Sequence, residues 1–488
     1  MGWHAVLKGV VMNQSSLRMK WAAALALFGG GLLLSWVTHG TGVVRDDPKR
    51  NISVPKQLTV PLQVQAAYNG TDMFFRYRWP ADKPGIFHDV VKFEGGKWVT
   101  KGSANPGSQT DGLHEDRVAM MLDDGSVPEF ARYGGYLAIG SGIATFTNHA
   151  KSDEVKAHPY LGKKLKQEEI SKSLPNTRTD INNWASVQPE DKLKAQREAG
   201  YFLDLWHWRS HRSNPINMSD DQVVAEGRLS DGGKSAAASN WDGDRKQPKL
   251  MFNAATTGYK ALKWDDVKQG KVAQDSTYFL REGEAVAFDP AAGWSEGDTL
   301  PRRTLRAPEG SMADIAVQGK GRWADGFWDV TLTRKLNTGN PLDDKILKDQ
   351  GAYSVAFSIH RNATGGRWHY VSLPYSLGLG RTGDIMAQPF AGTTPQWKEQ
   401  WTNIELFYPG QVSWPHLNSS KHAGAKFISK GQPVTTHHSV GQLKYYGVEA
   451  EFADEIRRQW LLTLFAGIAL IAAFGFALNQ LLKRNEGV

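Results

Sequence analysis

The chain has no cysteine among its 488 residues. Disulfides, cysteine-ligated iron–sulfur clusters and thioether-attached haem c are therefore excluded in any compartment. It also lacks a phosphate-cradling P-loop, a dinucleotide fingerprint, an HExxH zinc motif and a nucleophile elbow, which weakens nucleotide-enzyme and hydrolase readings. Clustered basic residues are missing too. The net charge is +8 with a pI near 9.2, but Lys and Arg are dispersed and no nucleic-acid motif accompanies them. The expected partner of this mildly basic surface is an anionic membrane face or an acidic protein, not nucleic acid.

Charge is absent from two long apolar runs, Trp21 to Val37 and Trp460 to Leu482. A helix of about 17–25 apolar residues covers the hydrocarbon core, so the second run fits well and the first lies near the lower limit. Lys8, Arg18 and Lys20 precede the first run, and Lys483 and Arg484 follow the second. The positive-inside tendency then places both termini in the cytoplasm of a bacterial inner membrane, with the main domain periplasmic, although Arg457 and Arg458 pull mildly the other way. Ser35-Trp36-Val37-Thr38-His39-Gly40 is a poor signal-peptidase site, so the first run is expected to be retained. Gly29-Gly30-Gly31 and the spaced Ala469, Ala473 and Ala477 let helix backbones approach closely, so the anchors are expected to pack together or on partner helices. The expected organisation is a cytoplasmic segment 1–20, a transmembrane helix 21–38, an exported domain 45–455, a second transmembrane helix 460–482 and a cytoplasmic tail 483–488.

The exported domain reads mainly as β. Leu58, Val60, Leu62 and Val64 alternate with polar residues, and Met73 to Trp79 repeats the pattern before Pro80. Further strands are expected at Arg117–Leu122, Phe202–Trp208, Thr277–Phe288, Gly326–Thr333, Ala352–His360 and Arg367–Leu373. With 50 Gly and 22 Pro as punctuation, the pattern predicts an immunoglobulin-like β-sandwich or open barrel. Residues 152–200 are rich in Lys, Glu, Gln and Asn, with a helical stretch at Pro189–Ala199, and read as an insertion packed on the sheet. A loop-rich stretch from Lys234 to Pro248 reads as a second excursion.

Chemistry-bearing groups sit within these strands. Alternation in Ala352–His360 puts Ala352, Ser354, Ala356 and Ser358 on one face with His360, a floor of small residues ending in an imidazole. Such a floor suits a flat macrocycle with an axial nitrogen, or simply a solvated face. His207 and His211 share a predicted strand face with Leu203 and Leu205, where a hydrogen-bonded core histidine is the alternative to a ligand. Val118, Met120 and Leu122 share a face, which makes Met120 core packing rather than a thioether ligand. His437-His438 is a weak metal signal and the only support for a periplasmic copper or sugar-binding sandwich.

These segments carry a resemblance. His114-Glu115-Asp116-Arg117-Val118-Ala119-Met120-Met121-Leu122, Phe202-Leu203-Asp204-Leu205-Trp206-His207-Trp208-Arg209-Ser210-His211-Arg212-Ser213-Asn214-Pro215, Phe357-Ser358-Ile359-His360 with Trp368-His369-Tyr370-Val371-Ser372-Leu373-Pro374, and Leu406-Phe407-Tyr408-Pro409-Gly410-Gln411 occur in that order. The chain resembles the ethylbenzene-dehydrogenase-related haem-binding family, which includes haem b subunits of periplasmic molybdenum enzymes and membrane-bound cytochrome-like relatives. The resemblance implies a β-sandwich that holds one haem b and relays single electrons, with His360 as the first axial ligand. A partner from the opposite sheet is expected, with His114, His207 and Met121 as candidates in that order. Relatives often carry haem c motifs after the counterpart of Phe130–Gly134 and at the counterpart of Val434–His438, and here both lack cysteine. The expected role is a membrane-anchored electron-transfer subunit with non-covalent haem b, working beside other integral-membrane or periplasmic redox subunits and without substrate chemistry of its own. The alternative is a haem-free accessory or scaffold subunit of a larger membrane complex.

Overall fold

The computed structural model describes residues 18–19, 21–34, 59–101, 113, 115–138, 143–145, 150–168, 170, 172–180, 183–361, 370–407, 435–436 and 448–485. The chain divides into two compact units, Val54–Tyr446 and a helical unit formed by Met1–Ser53 with Gly447–Val488.

The larger unit is mainly β, built on one large and mostly antiparallel sheet. In chain order its strands are β1 (Thr59–Tyr68), β2 (Asp72–Pro80), β3 (Arg117–Asp123), β4 (Leu203–Arg209), β5 (Asp220–Val224), β6 (Arg228–Ser230), β7 (Ala316–Val317), β8 (Arg322–Ala324), β9 (Phe327–Lys335), β10 (Ala352–His360), β11 (Tyr370–Ser372), β12 (Tyr375–Leu379), β13 (Ile385–Pro389) and β14 (Thr402–Phe407). The hydrogen-bonded order is β7-β9-β2-β1-β13-β12-β10-β3-β4-β5-β6, with β8 on β9, and β11 and β14 bridging β10 to β1. The β1–β2 turn forms because the Asn69 side chain accepts from Asp72 N at 2.8 Å while Gly70 takes φ +87°, a backbone state that suits glycine.

The sheet folds back so that its two halves meet through aromatic rings. Phe75, Tyr77 and Trp79 of β2 and Trp328 of β9 face Trp206 and Trp208 of β4 and Phe357 of β10. Ring centroids lie 5.4 Å apart for Phe75–Trp206, 5.8 Å for Trp79–Trp208, 5.2 Å for Trp208–Trp328 and 6.1 Å for Tyr77–Phe357. Mostly edge-on contacts of this kind add to the large area each ring buries. The Tyr77 hydroxyl donates to the Met120 sulfur at 3.5 Å, so Met120 is core, as its strand face predicts.

The opposite face of β3 and β4 is also covered. Short helical turns at Phe130–Tyr133 and Gly134–Ala138 lay Phe130, Tyr133 and Leu137 over Ala119, Met121, Leu203, Leu205 and Ala356. The 152–200 segment bonds to the turn after β5: Leu174 N donates to Ala225 O, and the buried Arg178 Nη2 donates to Glu226 O at 3.0 Å. Its helix Glu190–Glu198 matches the predicted helical stretch.

Two expectations change. The stretch Thr277–Phe288 holds only two-residue strands, Leu280–Arg281 and Val286–Ala287, because a turn in which Gly283 takes φ +88° separates them. A four-stranded sheet was not foreseen. One side of it is the hairpin Val90–Glu94 with Lys97–Lys101, whose turn residues Gly95 and Gly96 both take positive φ.

In the helical unit, Trp460–Gln480 within the helix Val448–Asn485 is long and apolar enough to cross a membrane, while Trp21–Leu34 is a shorter apolar helix. The two touch: a Cβ on Gly31 would lie 3.1 Å from Leu470 Cγ and 3.4 Å from Ala466 O. Ala466 and Ala473 are buried, as a small-residue contact requires.

Trp208 joins both halves of the large sheet and donates its indole N–H to Asn214 Oδ1 at 3.1 Å. Trp208→Ala is expected to cost about 3–5 kcal/mol, read from the midpoint of a urea melt. A loss under about 1 kcal/mol would show that the halves do not depend on this ring.

Candidate functional site

Because both faces of β3, β4 and β5 are covered, every residue in them is buried. The interior face takes Val118, Met120, Trp206 and Trp208. The outward face takes Arg117, Ala119, Met121, Leu205, His207, Arg209, Asp220 and Gln222, so its polar groups must find partners there. Register aligns them in rows: His360 with Arg117 and Arg209, then Ser358 with Ala119, His207 and Asp220.

His207 and His360 lean towards each other across β3, with ring centroids 6.2 Å apart and planes 25° apart. The residue of β3 lying between His207 and β10 is Ala119, so β3 itself contributes only a methyl group there. His207 Nδ1 lies 3.1 Å from Gln222 Oε1 and 3.3 Å from Arg209 Nη2. Its Nε2 is buried with no hydrogen-bond partner. With the Nδ1 proton donated to Gln222, the Nε2 lone pair is available to a metal. Burial, reinforced by Arg209 and Arg117, pushes the His207 pKa well below its ordinary value, so the ring is neutral and competent as a ligand.

Around the pair lies a buried ionic cluster. Arg117 Nη2 is 3.0 Å from Glu115 Oε1, and Arg209 Nε is 2.9 Å from Asp220 Oδ2. Glu115 Oε2 accepts from His211 N at 3.1 Å. Burial alone would raise the Glu115 pKa, but Arg117, with His88, Arg209 and Arg212, outweighs it and holds the carboxyl at about 2. The Nε groups of Arg117 and Arg212 are buried without hydrogen-bond partners, which leaves donors for an anion.

Of the residues singled out from sequence, the structure brings His360, His207 and Met121 to one face of one sheet, so no ligand pair from opposite sheets forms among them. Met121 packs among Phe130, Tyr133, Leu137 and Leu205 and is core. His114 lies outside the described residues, as does His437-His438. His211 is not on the strand with His207: β4 ends at Arg209, and the His211 ring turns under the loop before β3, where its Nδ1 donates to Ile86 O at 2.8 Å. The floor of small residues is only partly open. A Cβ on Gly135 would sit 3.8 Å from Ala356 Cβ, so the Gly134–Ala138 turn lies over Ala356. Sequence reasoning missed His88, Glu115, Arg209 and Gln222 as site residues; only the Glu115–Arg117 spacing hinted at a pair.

Residues 37–372 match the family described as ethylbenzene dehydrogenase. The chain belongs to that family. It is also similar to a protein named cytochrome c-552 from Stutzerimonas stutzeri, at 34% identity over 205 residues, covering 40% of this chain and 64% of that protein. The chain thus spans a little under two thirds of that relative's length. The buried His/Arg face lies almost wholly inside the matched region of the family.

The Glu115 pair gives a pH prediction. Its folded pKa of about 2 lies below the ordinary 4.5, so the stability it contributes is complete above pH 4.5 and is lost as pH falls towards 2. Glu115→Gln strands the buried Arg117 and is expected to cost about 3–5 kcal/mol near pH 7. That deficit should shrink between pH 4.5 and 2 in melts of the two proteins; a deficit constant across this window would contradict the ion-pair assignment.

Proposed function

We propose that this chain is a membrane-anchored electron-transfer subunit whose β domain, an immunoglobulin-like sandwich, holds one non-covalent haem b between His207 and His360. The observation that carries this reading is the buried Nε2 of His207, neutral and without a partner, facing a second histidine 6.2 Å away by centroid. Membership of the ethylbenzene dehydrogenase family and the likeness to a protein named cytochrome c-552 support it. When bound, a haem supplies one-electron exchange at a potential set by its axial ligands and burial. His207 and His360 would hold the iron through ring nitrogens, and Gln222 would set the His207 tautomer by accepting from Nδ1. Arg117 and Arg212 offer spare guanidinium donors to the cofactor's carboxylates.

In this reading Trp460–Gln480 crosses a bacterial inner membrane with Trp21–Leu34 packed on it, both termini are cytoplasmic and the β domain is periplasmic. The partners are integral-membrane or periplasmic redox subunits. Cysteine is absent, so any haem is held without thioether bonds.

Full-length protein purified in mild detergent is expected to show a Soret band and, by pyridine haemochrome assay, one haem b per chain. His207→Ala and His360→Ala should each abolish the low-spin spectrum, while His211→Gln keeps it. Protein made with ample haem precursor yet lacking both Soret absorption and iron would overturn the proposal and favour the haem-free accessory role. The Gly134–Ala138 turn over Ala356 is the structural feature that favours that second reading.

A further inference from the structure

A different buried group stands on the interior face, at the far end of the same strands. Asp204 of β4, Asp221 of β5 and Asp344 bring carboxylate oxygens within 4.8 Å of one another, and so do Asp231, Asp343 and Asp344. One guanidinium serves the first trio. Arg334 of β9, fully buried, lies 2.6 Å from Asp204 Oδ2, 2.5 Å from Asp344 Oδ1 and 3.6 Å from Asp221 Oδ2. Among the described residues, the ion pairs made by these five carboxylates run to Arg334. Lys345 is next in sequence, but its ammonium is spent elsewhere, 2.7 Å from both Asp124 Oδ1 and Gly200 O.

In the second trio the Arg334 guanidinium reaches Asp344 alone; among the described residues Asp231 and Asp343 have no ion pair. Asp231 is 5% exposed, and both its carboxylate oxygens are buried without a hydrogen-bond partner. Asp343 Oδ1 is likewise buried and unpartnered, and Asp344 uses its other oxygen on the Thr338 hydroxyl at 2.6 Å. A side chain as buried as Asp231, acceptor-only when ionised and aimed at two further carboxylates, lacks what burial of a charge demands. Either protons or a cation must supply it. Through protons alone, burial and the neighbouring carboxylates would push Asp231 up to about 9 and Asp344 up to about 7.

We infer that Asp231, Asp343 and Asp344 form a binding site for a hard divalent cation of the calcium class. Calcium takes carboxylate oxygens at about 2.3–2.6 Å, so one ion reaches oxygens up to about 4.8 Å apart, which is the spread found here. An all-oxygen donor set with no imidazole or thiolate disfavours zinc and copper. The ion would clamp the Leu336–Leu347 loop to the end of β6. Through Asp344 and Arg334 it would also brace Asp204 and Asp221 between the two halves of the sheet.

The test uses full-length protein in detergent, stripped with EDTA and titrated with calcium chloride. One calcium per chain is expected by calorimetry, with a rise in melting temperature of about 5 °C at saturating calcium. Terbium(III) in place of calcium should give emission sensitised by Trp206, whose ring lies 4.6 Å from the Arg334 guanidinium. Asp231→Asn should weaken calcium binding at least tenfold. Asp343→Asn, at a more exposed position, should do the same if the first variant fails to fold. Absence of both heat and thermal shift with millimolar calcium would overturn the inference. So would an Asp231→Asn protein that melts higher than wild type regardless of calcium, because that result assigns the group to a shared proton.

Discussion

Three strands buried on both faces constrain the rest of this domain. β3, β4 and β5 carry no exposed residue, yet they include Arg117, Asp123, Asp204, His207, Arg209, Asp220, Asp221 and Gln222. A sheet with one wet face would let such groups hydrate. Here each must be paired within the protein, bound to something, or left at a cost of several kcal/mol. Apolar residues at these positions would have satisfied the fold more simply. Polar residues in a doubly covered strand are therefore the places where the sequence departs from stability alone.

Strand alternation then sorts those groups into two chemically opposite sites. On β4 the even positions Asp204, Trp206 and Trp208 face the other half of the sheet, while Leu205, His207 and Arg209 face outward. The interior end gathers carboxylates around a single guanidinium. The outward end gathers histidines and arginines around fewer carboxylates. Asp204 and Arg209 are five residues apart, about 17 Å along a strand, so the two sites are separated by both face and length. The outward site lowers the histidine pKa and keeps the rings neutral, whereas the interior site raises the carboxyl pKa and asks for positive charge. Trp206 and Trp208 fill the interval between them on the interior face.

Much of the framework was legible in the sequence. Alternation gave β2, β3, β4, β9 and β10 within a residue or two and the first half of β1, because each is long and its two faces differ in polarity or size. Shorter strands were not legible. Asp298–Pro301 pairs with Val90–Lys92 of the hairpin and Leu262–Lys263 pairs in turn with Asp298–Thr299, and partners distant in sequence leave no local trace. The hairpin itself had a readable signal in Glu94-Gly95-Gly96-Lys97 between apolar residues. The site was half legible. His207 and His360 stand out as residues, but their meeting depends on the register of β3 between them, which places Ala119 rather than a bulky side chain in the gap. His211 was misplaced because strand periodicity continues in the sequence past the point where Ser210 turns to bond Gly85 O. The acidic cluster was invisible, since Asp204, Asp221, Asp231 and Asp344 come from four separate elements.

The missing cysteines gain a structural context from one short ladder. The resemblance places covalent haem attachment, in relatives that have it, just after the counterpart of Gly134 and around that of Val434–His438. In this chain Ile143–Thr145 pairs antiparallel with Thr435–Thr436, so segments bordering those two places are neighbours despite nearly 300 residues between them. Backbone pairing keeps the two segments together without a cofactor bonded to either. The His207–His360 face depends on neither segment for its strands, being built from β3, β4 and β10. The absence of cysteine at one place and the presence of an imidazole pair at another are therefore structurally independent. A chain of this family can lack cysteine at both places and still have the strands on which a non-covalent site would rest.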